Sequence, residues 1–195
     1  GTPLILGLRD VMDEPELLVP EWERKNVMPA LKDLYDELWV YGLPQFYDPL
    51  TGVKIPDVIR RKIVYTGYLK HQVPEALSVK SASVPNTPYI LVTAGGGGDG
   101  DVLIDWVLTA YETGMKIPHP ALIVLGPFMH TDFQESFLAR IEKLESVTAM
   151  TFSSHIEHLM EKAVGVVAMG GYNTFCEILS FDKPSIIVPR TKPRL

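Results

Sequence analysis

One cysteine, Cys176, stands in 195 residues. A single thiol excludes an internal disulfide framework and a cysteine-based zinc cluster, and a reducing, cytoplasmic setting is the default expectation. No apolar run approaches the ~18 residues that a membrane helix needs. The opening GTPLILGLRD lacks the basic start of a secretory signal. Basic charge is short as well. Lys and Arg number 18 against 24 Asp and Glu, a net −6, which is the wrong sign for a face that grips nucleic-acid phosphates. Internal repeats and low-complexity tracts are missing.

What is present suits a packed α/β protein. Hydrophobic residues make up 46% and charged residues 22%, enough for a core. The length fits one domain to one and a half. Composition shifts at 71–88, HQVPEALSVKSASVPNTP, which reads as a linker or a long surface loop. Before it, residues 3–8, 38–42 and 62–67 read as short strands. Residues 21–37 read as one helix with Val27, Leu31 and Leu34 on one face. Three such strands are expected to be too few for a sheet with its own core.

After it the alternation is regular. Strands are predicted at 89–94, 121–126, 146–151, 164–169 and 185–189. Between them run four helices. The first carries Ile104, Val107, Leu108 and Tyr111 at i, i+3, i+4 and i+7. The second, 132–144, buries Phe133, Phe137, Leu138 and Ile141. The third, 155–163, turns Ile156, Leu159 and Met160 inward, and the fourth spans 173–181. Continuous Val/Ile/Leu strands joined by helices predict a Rossmann-like parallel sheet with helices on both faces and right-handed crossovers. The chain ends in PRTKPRL where such a domain needs a closing helix, so it reads as a fragment of a longer two-domain protein.

Two loops carry candidate chemistry. Gly95, Gly96, Gly97 and Gly98, followed by Asp99 and Gly100, lie between a strand and a helix. Residues without Cβ let backbone N–H groups approach a phosphate at a helix start. No Lys-Ser/Thr follows, so a P-loop is excluded. Gly95, Gly97 and Gly100 formally fit G-x-G-x-x-G. The next strand ends LGPFM rather than in an acid, which argues against a dinucleotide. The second loop, GGYNTFCE, begins with Gly170 and Gly171 and places Glu177 in a first helical turn. That carboxylate can accept both ribose hydroxyls of a nucleotide. Thr174 and Glu177 read equally as a capping box.

Other polar residues read more plainly. His155 and His158 do not form HExxH and read as surface or cap residues. His130, after the 121–126 strand, is a candidate for a cleft. Ser153-Ser154-His155 lacks the G-x-S-x-G elbow of a hydrolase. Cys176 reads as a small buried hydrophobe, and Trp22, Trp39 and Trp106 as core or interface residues.

The segment VAMGGYNTFCEILSFDKPSIIVPRTKPR resembles the nucleotide-sugar signature of the C-terminal domain of family 28 glycosyltransferases. That family includes the transferase that adds N-acetylglucosamine to the lipid-linked peptidoglycan precursor. The nearest resemblance is to its membrane-associated glycosyltransferases. The resemblance implies the GT-B fold, two Rossmann-like domains with a sugar nucleotide in the cleft. Residues 1–70 would be the tail of the N-terminal, acceptor-binding domain. Residues 71–195 would be the nucleotide-sugar domain, truncated at its C-terminus.

By resemblance Glu177 binds ribose. Gly170, Gly171, Asn173 and Thr174 lie along the nucleotide and its phosphates. Phe152 and Ser153 pair with the uracil edge, and Ile156 flanks the base. Gly95, Gly96, Gly97 and Gly98 face the diphosphate and acceptor. Thr66-Gly67 matches the inter-domain connection, Lys70 or His71 stands where the family often has a phosphate-binding Arg, and Arg9-Asp10 lies near the acceptor. Arg190-Thr191-Lys192 replaces the usual polar run that grips the donor sugar. The implied activity is transfer of a hexose from a nucleotide diphosphate, UDP rather than GDP, to a hydroxyl with inversion. No metal and no cofactor besides the donor are implied. The general base would come from the N-terminal domain, so this chain alone should bind nucleotide without turnover. The acceptor would be a glycan or a lipid, and a lipid acceptor would bring the whole protein to the inner membrane face through its other half. The other classes carried are a nucleotide-sugar epimerase or hydrolase and a non-catalytic nucleotide-binding module.

Overall fold

The computed structural model describes residues 1–9, 14–73, 83–96 and 98–190. They fall into two units, Gly1–Leu69 and Lys70–Leu195. In the first, β1 (Ile5–Arg9), α1 (Pro15–Arg24), α2 (Val27–Asp33), β2 (Glu37–Tyr41), α3 (Asp57–Arg60) and β3 (Ile63–Tyr65) follow in order. The strands form a parallel sheet, β1-β2-β3, with Leu38 of β2 level with Leu6 and Ile63.

Two sequence expectations fail in this unit. Residues 21–37 are not one helix. Asn26 adopts a left-handed conformation (φ 50°) and separates α1 from α2, and Pro29 then sits in the first turn of α2, where a missing N–H costs nothing. Leu34 falls beyond the end of α2 and is exposed. The three strands also do have a core. Leu18, Leu31 and Ile59 from the helices close over Leu38 and Val40, and Leu50, Val53 and Ile55 from the 42–56 loop complete the cluster. That loop supplies the apolar area that three short strands lack.

The second unit contains β4 (Ile90–Thr93), α4 (Asp101–Glu112), β5 (Ala121–Val124), α5 (Thr131–Ile141), β6 (Val147–Met150), α6 (Ile156–Lys162), β7 (Gly165–Met169), α7 (Tyr172–Ser180) and β8 (Ser185–Val188). All five strands are parallel, in the order β6-β5-β4-β7-β8. One face packs Ile104 and Leu108 of α4 and Phe137 and Ile141 of α5 against Val92, Ile123 and Val147. The other packs Leu159 and Met160 of α6 and Ile178 of α7 against Leu91, Leu122 and Val166. This is the Rossmann-like parallel sheet with helices on both faces that the alternation predicts, except at the edge strand β8, where Ile186 and Ile187 are exposed. Phe133 and Leu138 are exposed as well. Phe137 and Ile141 take the buried contact, and Phe133 only stacks on Phe137, ring centroids 6.2 Å apart.

The described ends of the 71–88 stretch are anchored to this unit. The backbone N–H of His71 donates to Ser180 Oγ (2.9 Å), and Thr148 Oγ1 donates to the Ser83 carbonyl (2.7 Å). Among the described residues no helix is long and apolar enough to cross a membrane.

Candidate functional site

The strand order fixes where a ligand can sit. From β4 the chain builds outward through β5 and β6, then returns to the other side of β4 for β7 and β8. Beyond the carboxyl ends of β4 and β7 the two following loops diverge to opposite faces and leave a crevice, the usual binding place in open α/β sheets. Both glycine-bearing loops flank that crevice.

The first joins β4 to α4. Gly100 is the N-cap of α4, and a Cβ there would overlap the Cβ of Ala94, so only glycine allows the strand to turn this tightly into the helix. Gly126, after β5, has φ +95°, and a Cβ on it would lie 2.6 Å from the Gly95 carbonyl oxygen. Gly95 is half-buried, Gly96 and Gly98 are exposed, and Gly97 lies outside the described residues. The exposed ring of Phe128 lies beside Gly96.

The second loop joins β7 to α7. Gly170 N–H donates to the Val188 carbonyl (2.7 Å), which ties the loop to β8. Gly171 is the N-cap of α7, and nothing lies within 4 Å of where its Cβ would be. A capping box is not formed. Gly171 holds the cap position with no side-chain bond, Thr174 lies inside the first turn, and Glu177 falls in the second turn rather than the first. Asn173 is exposed and Thr174 half-buried.

Glu177 is only 8% exposed. Burial and the nearby Glu157 carboxylate push its carboxyl up to about 7, because both disfavour the charged form. His71, Glu157 and Glu177 each turn a ligand atom to one place, all within 4.8 Å. That donor set could accept a divalent cation, and a proton on one carboxyl relieves the same repulsion.

At the end of β6, Phe152 is 60% exposed, and Ser153 Oγ accepts from the His155 N–H (3.2 Å). Ile156 begins α6, half-buried against the second core. His130 caps α5, with Nδ1 accepting from the Asp132 N–H (3.4 Å). His158 Nε2 is buried without a hydrogen-bond partner. Cys176 is fully buried. Trp22 packs against the first unit's core, whereas Trp106 is 58% exposed. The hollow beside Trp22, Met28 and Lys54 and that beside Leu138 and Thr148 share no residue with these loops.

One site residue escaped sequence reasoning in its actual role. Arg190 Nε donates to the Gly170 carbonyl (2.8 Å) and Nη2 to the Ala94 carbonyl (3.3 Å), while Nη1 pairs with the Asp99 carboxylate. It therefore ties the two glycine loops together. Asp99 and Arg190 are 91 positions apart, so no local spacing signals the pair.

Residues 89–194 match the family model described as the glycosyltransferase family 28 C-terminal domain, more than half of the chain. The chain belongs to this family. Its fold is that of GT-B glycosyltransferases. The crystal structure of the glycotransferase of kitacinnamycin is similar with a TM-score of 0.55 at 14% identity, over 91% of this chain and 43% of that one. The calicheamicin glycosyltransferase CalG4 matches with a TM-score of 0.49 at 14% identity, over 89% and 40%. The chain thus spans less than half the length of these solved structures. No curated protein matches it significantly. Within the family 28 domain, both glycine loops, Glu177 and Arg190 belong to the matched segment.

Proposed function

We propose that the second unit is the donor-binding half of a glycosyltransferase that moves a hexose from a nucleoside diphosphate, with UDP as the nucleotide, to a hydroxyl of a glycan or lipid acceptor with inversion. The single observation that carries the reading is the gathering of both glycine loops at the β4/β7 switch point of a family 28 domain. The starts of α4 and α7 aim backbone N–H groups and positive helix ends at this crevice, which favours a diphosphate. The same groups would stabilise the charge on a departing nucleoside diphosphate, and need no metal to do so. Glu177 supports the nucleoside end. Its carboxyl is buried in the second turn of α7, and an ionised carboxylate accepts the hydrogen bonds that two ribose hydroxyls donate.

In this reading the first unit belongs to the acceptor side and the general base lies outside the second unit. Calorimetric titration of the chain with UDP, GDP and NAD tests it, alongside Glu177→Ala. UDP binding that Glu177→Ala weakens at least tenfold is expected. Preference for NAD, or UDP binding indifferent to Glu177, contradicts the reading.

A further inference from the structure

A nucleoside diphosphate brings several negative charges to the strand ends, and the side chains there offer little to meet them. Through the loops that follow β4, β5, β6 and β7, and on to residue 190 after β8, Arg190 is the one Lys or Arg. Its side chain is 22% exposed. The carbonyls of Gly170 and Ala94 fix the guanidinium between the two glycine loops, at the switch point itself. That is an unfavourable place for a lone cation, because the starts of α4 and α7 are the positive ends of their helices. An anion has to accompany it, and in the structure the anion is the Asp99 carboxylate. The guanidinium fork accepts phosphate in the same planar geometry as carboxylate. Gly95 keeps the approach clear, since a Cβ there would stand 3.2 Å from Arg190 Nη2.

We propose that Arg190 binds the donor's diphosphate, and that phosphate oxygens take the place Asp99 holds beside it. This rests on the donor-site reading above. Arg190 then supplies the formal positive charge at the leaving group that the backbone N–H groups lack.

The test is calorimetric titration of the chain with UDP and with uridine, for the unsubstituted protein, Arg190→Gln, Arg190→Lys and Asp99→Asn, with thermal unfolding recorded for each. Arg190→Gln is expected to weaken UDP at least tenfold and to leave uridine within twofold. Arg190→Lys should fall between, keeping the charge without the fork. Asp99→Asn should tighten UDP severalfold by removing the competing carboxylate. Equal losses for UDP and uridine would reduce Arg190 to a brace between loops and overturn the proposal, as would unchanged UDP affinity in Arg190→Gln. Should Arg190→Gln not fold, displacement of UDP by inorganic pyrophosphate, stronger in Asp99→Asn, carries the same decision, and its absence overturns the proposal. A chain that binds neither UDP nor uridine refutes the donor-site reading itself.

Discussion

Glu177 shows how one side chain can report both stability and ligand. Its carboxyl is raised to about 7 by burial and by Glu157, so the protonated form is the one the fold favours. The contribution is complete below the ordinary carboxyl value and is lost as pH rises through about 7. Glu177→Gln should therefore raise stability at pH 8 by about 1–3 kcal/mol and change little at pH 4, as chemical denaturation at the two pH values would show. In the proposed donor site ribose hydroxyls would donate to the ionised form, so UDP affinity should rise with the fraction ionised: it should fall as pH drops from 8 to 6, with protons released on binding at pH 6. Equal affinity at both pH values would remove Glu177 from the nucleotide. Tyr89 titrates at the other end of the scale. Burial raises its phenol to about 12, and its hydroxyl donates to the Leu159 carbonyl (2.7 Å). Stability should decline between pH 10 and 12 as the unfolded chain ionises first, and Tyr89→Phe should flatten that decline while costing about 1 kcal/mol near neutrality. The glycines and Glu177 were legible in the sequence because their residue types are unusual where they stand. His71 and Glu157 were not legible as neighbours of Glu177, nor Arg190 as the partner of Asp99, because these contacts join residues far apart in the chain.

At the level of elements, the Val/Ile/Leu strands β4, β5 and β7 announced themselves because helices cover both faces of the sheet there, whereas β8 is as apolar in sequence but exposed at Ile186 and Ile187. The helix faces were less exact. Phe133 and Phe137 fit one apolar stripe, yet only Phe137 is buried, since periodicity gives a face and not the extent of what covers it. The turn from β4 into α4 tests the tight packing of the glycine loop. Gly100→Ala should cost about 1–3 kcal/mol through its clash with Ala94, whereas Gly171→Ala, with open space around it, should leave stability nearly unchanged. A thermal shift comparison of the two variants separates a loop built for close packing from one built for access.

Over the molecule as a whole, the two units carry separate hydrophobic clusters. The first was underestimated from sequence because the apolar residues that complete it, Leu50, Val53 and Ile55, lie in a loop without periodicity. Leu38→Ala should cost about 2–5 kcal/mol in that core, and hydrogen exchange should show the loss in β1, β2 and β3. In the second unit, the proposal that both glycine loops receive a nucleoside diphosphate is open to direct test. Amide chemical shifts followed during titration with UDP test this most directly. Shifts are expected to gather at residues 95–100, 152–156 and 170–177. Shifts confined to other parts of the sheet, or none at saturating UDP, would contradict it.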